Sequence, residues 1–212
     1  MAEISQRAAS AADEADRRAR LPKAASACLI GVVLTAFALV WTHPGQALDQ
    51  GISPEADRGG FLFVLARGLL WCSGDPLVLG GVLAGVVLAS AFGGRIRAAL
   101  AGIVVVVCSF TAARLLKAAL PRPEFDVADA TSHNSFPSGH VTVVAAIVCT
   151  VLFAVPAHLR WRAAVAGAVV VAAVGAATVL VGWHRVSDSV GAVLVVAALG
   201  CLVAWSAGRR WV

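Results

Sequence analysis

Three short stretches hold most of the residues able to do chemistry in this chain: RLLKAALPRPEF (114–125), SFPSGH (135–140) and GWHRVSD (182–188). In SFPSGH, Pro137 suits the first turn of a helix, where its missing N–H costs nothing. Ser138 and Gly139 then leave free backbone N–H groups at a helix N-terminus, where the aligned peptide dipoles favour an anion. Gly139 admits an oxyanion close to the backbone, Ser138 adds a hydroxyl, and His140 can give or take a proton. The plain alternative is a capped helix start with an incidental histidine.

In GWHRVSD, His184 and Asp188 stand four apart and share a face if the segment is helical. An aspartate that holds one ring nitrogen leaves the other free as a nucleophile. A surface hydrogen-bonded pair is the alternative. Arg185 follows directly; on a regular helix it points about 100° away from His184, but an irregular junction would let it fold back and bind a phosphate with two hydrogen bonds, the alternative being a pairing with lipid headgroups or with the outer acids. In RLLKAALPRPEF, Lys117 and Arg122 flank a helix end broken by Pro121 and Pro123. Membrane-edge cations are often plain anchors that snorkel to headgroups. Taken together, the stretches supply cations, an anion nest, a His–Asp pair and a second histidine, which is a set for phosphoryl transfer through histidine. No metal or other cofactor is expected. Glu124, Asp126 and Asp129 read as a solvated acidic loop, with a divalent-ion site as the alternative.

The elements that must position these residues are membrane helices. The chain has 212 residues, of which 59% are hydrophobic and 14% charged, too apolar for an ordinary soluble domain. About 20 helical residues cross a bilayer core. Ala24–Trp41, Pro76–Phe92, Ile96–Leu116, Val141–Val155, Ala163–Val181 and Ser189–Ala204 are almost uncharged. The fold expected is therefore all-α, a polytopic bundle of six transmembrane helices. Phe61–Trp71, about half a span and carrying Arg67, is expected as a short interfacial helix in the first outer loop, with part of a bent second span as the alternative. Residues 1–23 form a charged N-terminal segment and 24–212 one membrane domain. Frequent Ala, Val and Gly permit close helix packing.

The net charge of +5 is distributed as a topology signal and not as a nucleic-acid patch. Arg7, Arg17, Arg18, Arg20, Lys23, Arg95, Arg97, Arg160, Arg162, Arg209 and Arg210 all fall on one side of a six-span chain, which the positive-inside rule makes cytoplasmic. Asp49, Glu55, Asp57, Asp75, Glu124, Asp126, Asp129 and Asp188 fall on the other, together with all three polar stretches. Both termini are then cytoplasmic. Cys28, Cys108, Cys149 and Cys201 lie in spans, so Cys72 has no obvious disulfide partner. The first span is a poor secretory leader, because its polar lead-in and its apolar run are both long; Gly45-Gln46-Ala47 is only a weak cleavage-like triplet.

With these residues in place, the sequence resembles the type 2 phosphatidic acid phosphatase (PAP2) superfamily of integral membrane lipid phosphatases, over about residues 76–204. The family's signatures are Lys-x6-Arg-Pro, Pro-Ser-Gly-His and Ser-Arg-x5-His-x3-Asp. The second is complete as Pro137-Ser138-Gly139-His140, and the third keeps His184-x3-Asp188. Two positions depart. Lys117 precedes Arg122-Pro123 by x4, so that Leu115 stands at the family's lysine position, with Arg114 one turn deeper than Lys117. Ala177-Thr178 stands where the family has Ser-Arg.

The resemblance implies a metal-independent hydrolase. His184 would be the nucleophile forming a phosphohistidine, Asp188 its orienting partner, and His140 the acid for the leaving oxygen. Lys117, Arg122, Ser138 and the Gly139 N–H would hold the phosphate, and Arg185 is a candidate for the missing arginine. The expected partner is a lipid phosphate from the outer leaflet, with the site on the extracytoplasmic face of the cell membrane. A polyprenyl diphosphate recycled after cell-wall synthesis comes first; phosphatidic acid, phosphatidylglycerol phosphate and a prenyl-linked sugar phosphate are alternatives. From another class, the chain would be a non-catalytic lipid-binding or transport member of the fold. The intact His140, His184 and Asp188 favour the enzyme.

Overall fold

A computed structural model of the chain describes residues 1–52, 58–127 and 134–207, leaving aside the side chains of 2–15 and 17. Of the charges that mark sidedness, Glu55, Asp57, Asp129, Arg209 and Arg210, and the side chains of Arg7 and Arg17, lie outside the described residues. The helices are α1 (Ala2–Thr35), which ends in a π-helical turn (Ala36–Val40), α2 (His43–Gly51), α3 (Phe61–Gly74), α4 (Pro76–Phe92), α5 (Ile96–Ala119), α6 (Gly139–Ala154), α7 (Ala157–Leu180) and α8 (Val186–Ala207).

Four segments are long and apolar enough to cross a membrane: Arg18–Val40, Ile96–Ala119, Ala157–Leu180 and Val186–Ala207. α3 and α4 are together apolar and long enough for one more, as a broken span or a re-entrant turn bent by 62°, and α6 is apolar but short. The protein is therefore an all-helical membrane bundle. Phe61–Trp71 is not a detached surface element. It belongs to α3, which buries Ala66 and Leu70 in a cluster with Val141, Val144 and Val174. The bend has a local cause. Asp75 precedes a proline and so avoids the helical region, at φ −75° and ψ 119°. Its carboxylate then accepts from Leu77 N at 2.7 Å and Val78 N at 3.1 Å, restarting the helix with Pro76 in the first turn.

The short α6 is the hub, packing on α5, α7 and α8, while α1 lies along α8. Small and β-branched residues let the backbones close: Val105, Ala145, Ala146 and Val196 form one buried cluster. Lipid offers no hydrophobic drive for such contacts, so close van der Waals fit must supply it. Phe136, fully buried, anchors the entry to α6 among Val32, Ala36, Val40 and Val195. α7 and α8 are consecutive yet scarcely touch. An apolar groove of about 980 Å³ opens between them and α3. All five cysteines are free thiols.

Candidate active site

The ends of α5 and α7 and the starts of α6 and α8 converge at one end of the bundle, and the three polar stretches meet there. α6 starts at Gly139 with Ser138 as its N-cap, so Pro137 stands just before the cap and not in the first turn. The Phe136–Pro137 peptide is cis. Ser138 is fully buried, and its hydroxyl accepts from Val141 N at 3.5 Å. Its own amide donates to the Asp188 carbonyl at 3.0 Å. The Ser138 side chain thus serves the helix terminus and sets the angle at which α6 presents Gly139 and His140.

His184 does not lie on a helix. It sits in the turn after α7, and Asp188 is in the first turn of α8. The pair still meets, with His184 Nδ1 3.2 Å from Asp188 Oδ2. The same carboxylate oxygen accepts from the Arg185 amide at 2.9 Å, the reach-back bond that an acidic residue makes to the amide heading its own helix. Asp188 is fully buried, so it holds the imidazole against a fixed frame. A carboxylate at Nδ1 keeps the proton there and leaves the Nε2 lone pair free. The His140 and His184 rings stand 6.4 Å apart between centroids, edge to face, so both can reach one phosphate. Trp183 covers His140 from another side, at 5.5 Å. Gly74, at the α3–α4 corner, completes this wall: a Cβ there would lie 2.8 Å from His140 Nε2.

Lys117 and Arg122 both lie within electrostatic range of Asp188. Lys117, half-buried in the last turn of α5, is also within electrostatic range of His140. Arg114, its neighbour one turn deeper, is exposed. Arg122 is only 7% exposed, and none of its three guanidinium nitrogens finds an acceptor among the described residues. Burial, and then the like charge of Arg185, lower its pKa, while Asp188 and Asp49 oppose the shift. A guanidinium stays charged regardless. A buried charge without a partner is costly, and the chemistry that relieves it is an anion.

Arg185 is also buried. Its Nε donates to Gln50 Oε1 at 3.1 Å and its Nη1 to Ser135 Oγ at 3.4 Å. Thr178, where the family arginine would stand, is fully buried and donates to the Gly175 carbonyl. Its own carbonyl accepts from the amides of Trp183 and His184, so this position supports the histidine turn. Glu124 and Asp126 are exposed. Asp129 lies outside the described residues, among which no cluster of three His, Cys, Asp or Glu can hold a metal.

Sequence reasoning missed several contributors. Asn134 donates to the carbonyls of Lys117, Leu120 and Phe136, pinning the α5 exit to the α6 entry. Ser135, Gly74, Gln46, Asp49 and Gln50 were likewise not singled out. The last three are polar at i, i+3 and i+4 on one face, which was a readable signal.

The family model for the PAP2 superfamily matches residues 96–211. The crystal structure of a transmembrane PAP2 type phosphatidylglycerolphosphate phosphatase from Bacillus subtilis superposes with a TM-score of 0.72 at 21% identity, covering 89% of this chain and 98% of that one. Among curated proteins none matches.

Proposed function

The chain belongs to the PAP2 superfamily, and from that premise we propose that it removes phosphate from an anionic membrane lipid through a phosphohistidine on His184. At the coarser level it is a membrane phosphatase, a phosphoric ester hydrolase. The observation that carries the proposal is Arg122, a buried guanidinium without an acceptor among the described residues, beside a His–Asp pair and a second histidine.

In the proposed cycle the phosphate oxygens lie against Arg122, Lys117, Arg185 and the amide end of α6 at Gly139. His184 Nε2 attacks phosphorus, the P–O bond to the leaving group breaks, and His140 gives its proton to the departing oxygen. Water then attacks the phosphohistidine, passing a proton to His140 and releasing inorganic phosphate. The cations stabilise charge on the equatorial oxygens, the main source of catalysis in phosphoryl transfer.

The lipid reading is supported by the groove between α3, α7 and α8, which is lined by Leu62, Leu65, Leu69, Val141, Leu180 and Val190. It contains no catalytic side chain, but Val141 follows His140 directly and Val186, also on its wall, follows Arg185. A hydrocarbon chain in the groove would place its headgroup between the histidines. The substrate proposed first is a polyprenyl diphosphate, converted to the monophosphate at the extracytoplasmic face with both termini cytoplasmic. Three cations suit the greater charge of a diphosphate. Phosphatidylglycerol phosphate is the second reading, favoured by the likeness to the Bacillus subtilis phosphatidylglycerolphosphate phosphatase.

The test is phosphate release by purified protein from a panel of both lipids, phosphatidic acid and a water-soluble phosphomonoester. Rapid quenching is expected to trap acid-labile phosphate on the protein, and His184→Ala to trap none. Turnover of the soluble ester alone would overturn the lipid reading, and acid-stable phosphate the histidine mechanism.

A further inference from the structure

Helix α2 lies before the region the family model matches, residues 96–211, yet its polar face reaches the site. Asp49 is 1% exposed, and its Oδ1 accepts from the Ser187 amide at 3.1 Å while its other oxygen accepts from the Ser187 hydroxyl. Ser187 is the second residue of α8. A helix normally has this amide capped by the Ser, Thr, Asp or Asn just before its start. Here that residue is Arg185, which has no acceptor atom in its side chain. Asp49 supplies the missing cap from another helix.

The rest of the segment serves the same region. Gln50 Oε1 accepts from Arg185 Nε. Gln46, 1% exposed, donates to the Pro123 carbonyl at 2.9 Å and to the Val40 carbonyl at 2.7 Å. Trp41 Nε1 donates to the Pro121 carbonyl at 2.8 Å, and the His43 ring meets the Phe125 ring edge-on. These contacts bracket Arg122 on one side and Arg185 on the other. Gly45 allows the seating: a Cβ there would fall 1.8 Å from the Ala38 carbonyl oxygen.

We propose that α2 is a brace that positions the phosphate site, with Gln50 orienting the Arg185 guanidinium toward the phosphate and Asp49 capping α8 so that an arginine can occupy its first position. This rests on the phosphatase reading above. Gln50 and Asp49 are positioning residues and touch no substrate. With an arginine just before α8, that helix has no cap from its own chain segment, and the brace supplies one from Asp49 while Gln50 holds the guanidinium.

The full chain in detergent tests this, with inorganic phosphate as the probe of thermal stabilisation and the best lipid of the panel as substrate. Gln50→Ala is expected to raise the phosphate concentration for half-maximal stabilisation, and KM, by at least about fivefold, with kcat within about twofold. Gln50→Glu, which keeps the acceptor, should return most of the affinity. In an Arg185→Ala background Gln50→Ala should have no further effect. Asp49→Ala should lower kcat about tenfold through the loosened His184 turn, and Asp49→Asn should restore it because its Oδ1 still accepts from Ser187 N. Unchanged phosphate affinity in Gln50→Ala, or a loss that simply adds to that of Arg185→Ala, overturns the brace. If wild type turns over no lipid but phosphate binding follows this pattern, the phosphatase reading fails and the brace stands.

Discussion

The backbone amide of Ser138 donates to the main-chain carbonyl of Asp188 at 3.0 Å. That bond joins the cap of α6 to the first turn of α8, so the helix presenting His140 and the helix whose Asp188 orients His184 are registered to each other by backbone. Backbone registry is insensitive to rotamer changes, which suits a site where a misplacement of about 1 Å can cost a hundredfold in rate.

His184→Ala is expected to reduce phosphate release by more than about a thousandfold in a protein that still folds, with a lowered thermal transition because the buried Asp188 carboxylate loses a partner. Asp188→Asn should fall by about 10²–10⁴-fold through loss of the correct tautomer. Asp188→Asn should also be less stable, since its Oδ2 serves the Arg185 amide as well as the histidine. A His184→Ala protein with near wild-type turnover would remove it as nucleophile.

Turnover is expected to survive excess EDTA. Lys117, Arg122 and Arg185 with the α6 amide end supply the positive charge that a divalent ion would otherwise bring. Steady-state release with and without chelator checks this. Loss restored by Mg²⁺ or Ca²⁺ would direct attention to Glu124, Asp126 and Asp129.

Much of this arrangement was legible because polar residues are scarce in so apolar a chain. His140, His184, Asp188, Lys117 and Arg122 stood out by type and spacing, and the helices by apolar length. What was hidden depends on tertiary bonds. The spacing of Gln46, Asp49 and Gln50 marks a polar helix face, but its partners, Ser187 and Arg185, appear only once α8 is placed beside it. Helical geometry pointed Arg185 away from His184, but the turn before α8 breaks that geometry, and its guanidinium is buried beside Gln50. The α3–α4 bend was written locally in Asp75-Pro76, yet whether Phe61–Trp71 packs inward is decided by Ala66 and Leu70 meeting Val141 and Val174.

Asp49 should give stability a readable pH dependence. Burial, with the neighbouring Asp188, raises its pKa above the ordinary 3.8, outweighing the Ser187 hydrogen bonds and Arg185, which lower it. A raised folded value means the native state holds the proton more tightly than the unfolded chain. The contribution is therefore complete below 3.8 and lost as pH rises through the folded value. Asp49→Asn does not titrate. Its melting temperature relative to wild type should climb as pH increases from about 4 toward neutrality. A difference that is constant over that range would show that Asp49 ionises normally.

Arg122 sets stability against activity. Its guanidinium is buried without an acceptor among the described residues, and replacing an unpaired buried charge by an apolar side chain of similar length removes a desolvation cost. Arg122→Met should therefore melt higher than wild type in phosphate-free buffer. The same variant should lose at least about a hundredfold in kcat/KM, the scale of removing one donor from a preorganised oxyanion site. Inorganic phosphate should raise the melting temperature of wild type and leave Arg122→Met almost unmoved, since only the former has a charge for it to neutralise. Arg185→Ala should fall between, losing at least about tenfold in kcat/KM with part restored by Arg185→Lys, because lysine keeps the charge without the planar fork. If Arg122→Met melts lower and still responds to phosphate, the guanidinium is a structural element of the loop and the anion binds elsewhere.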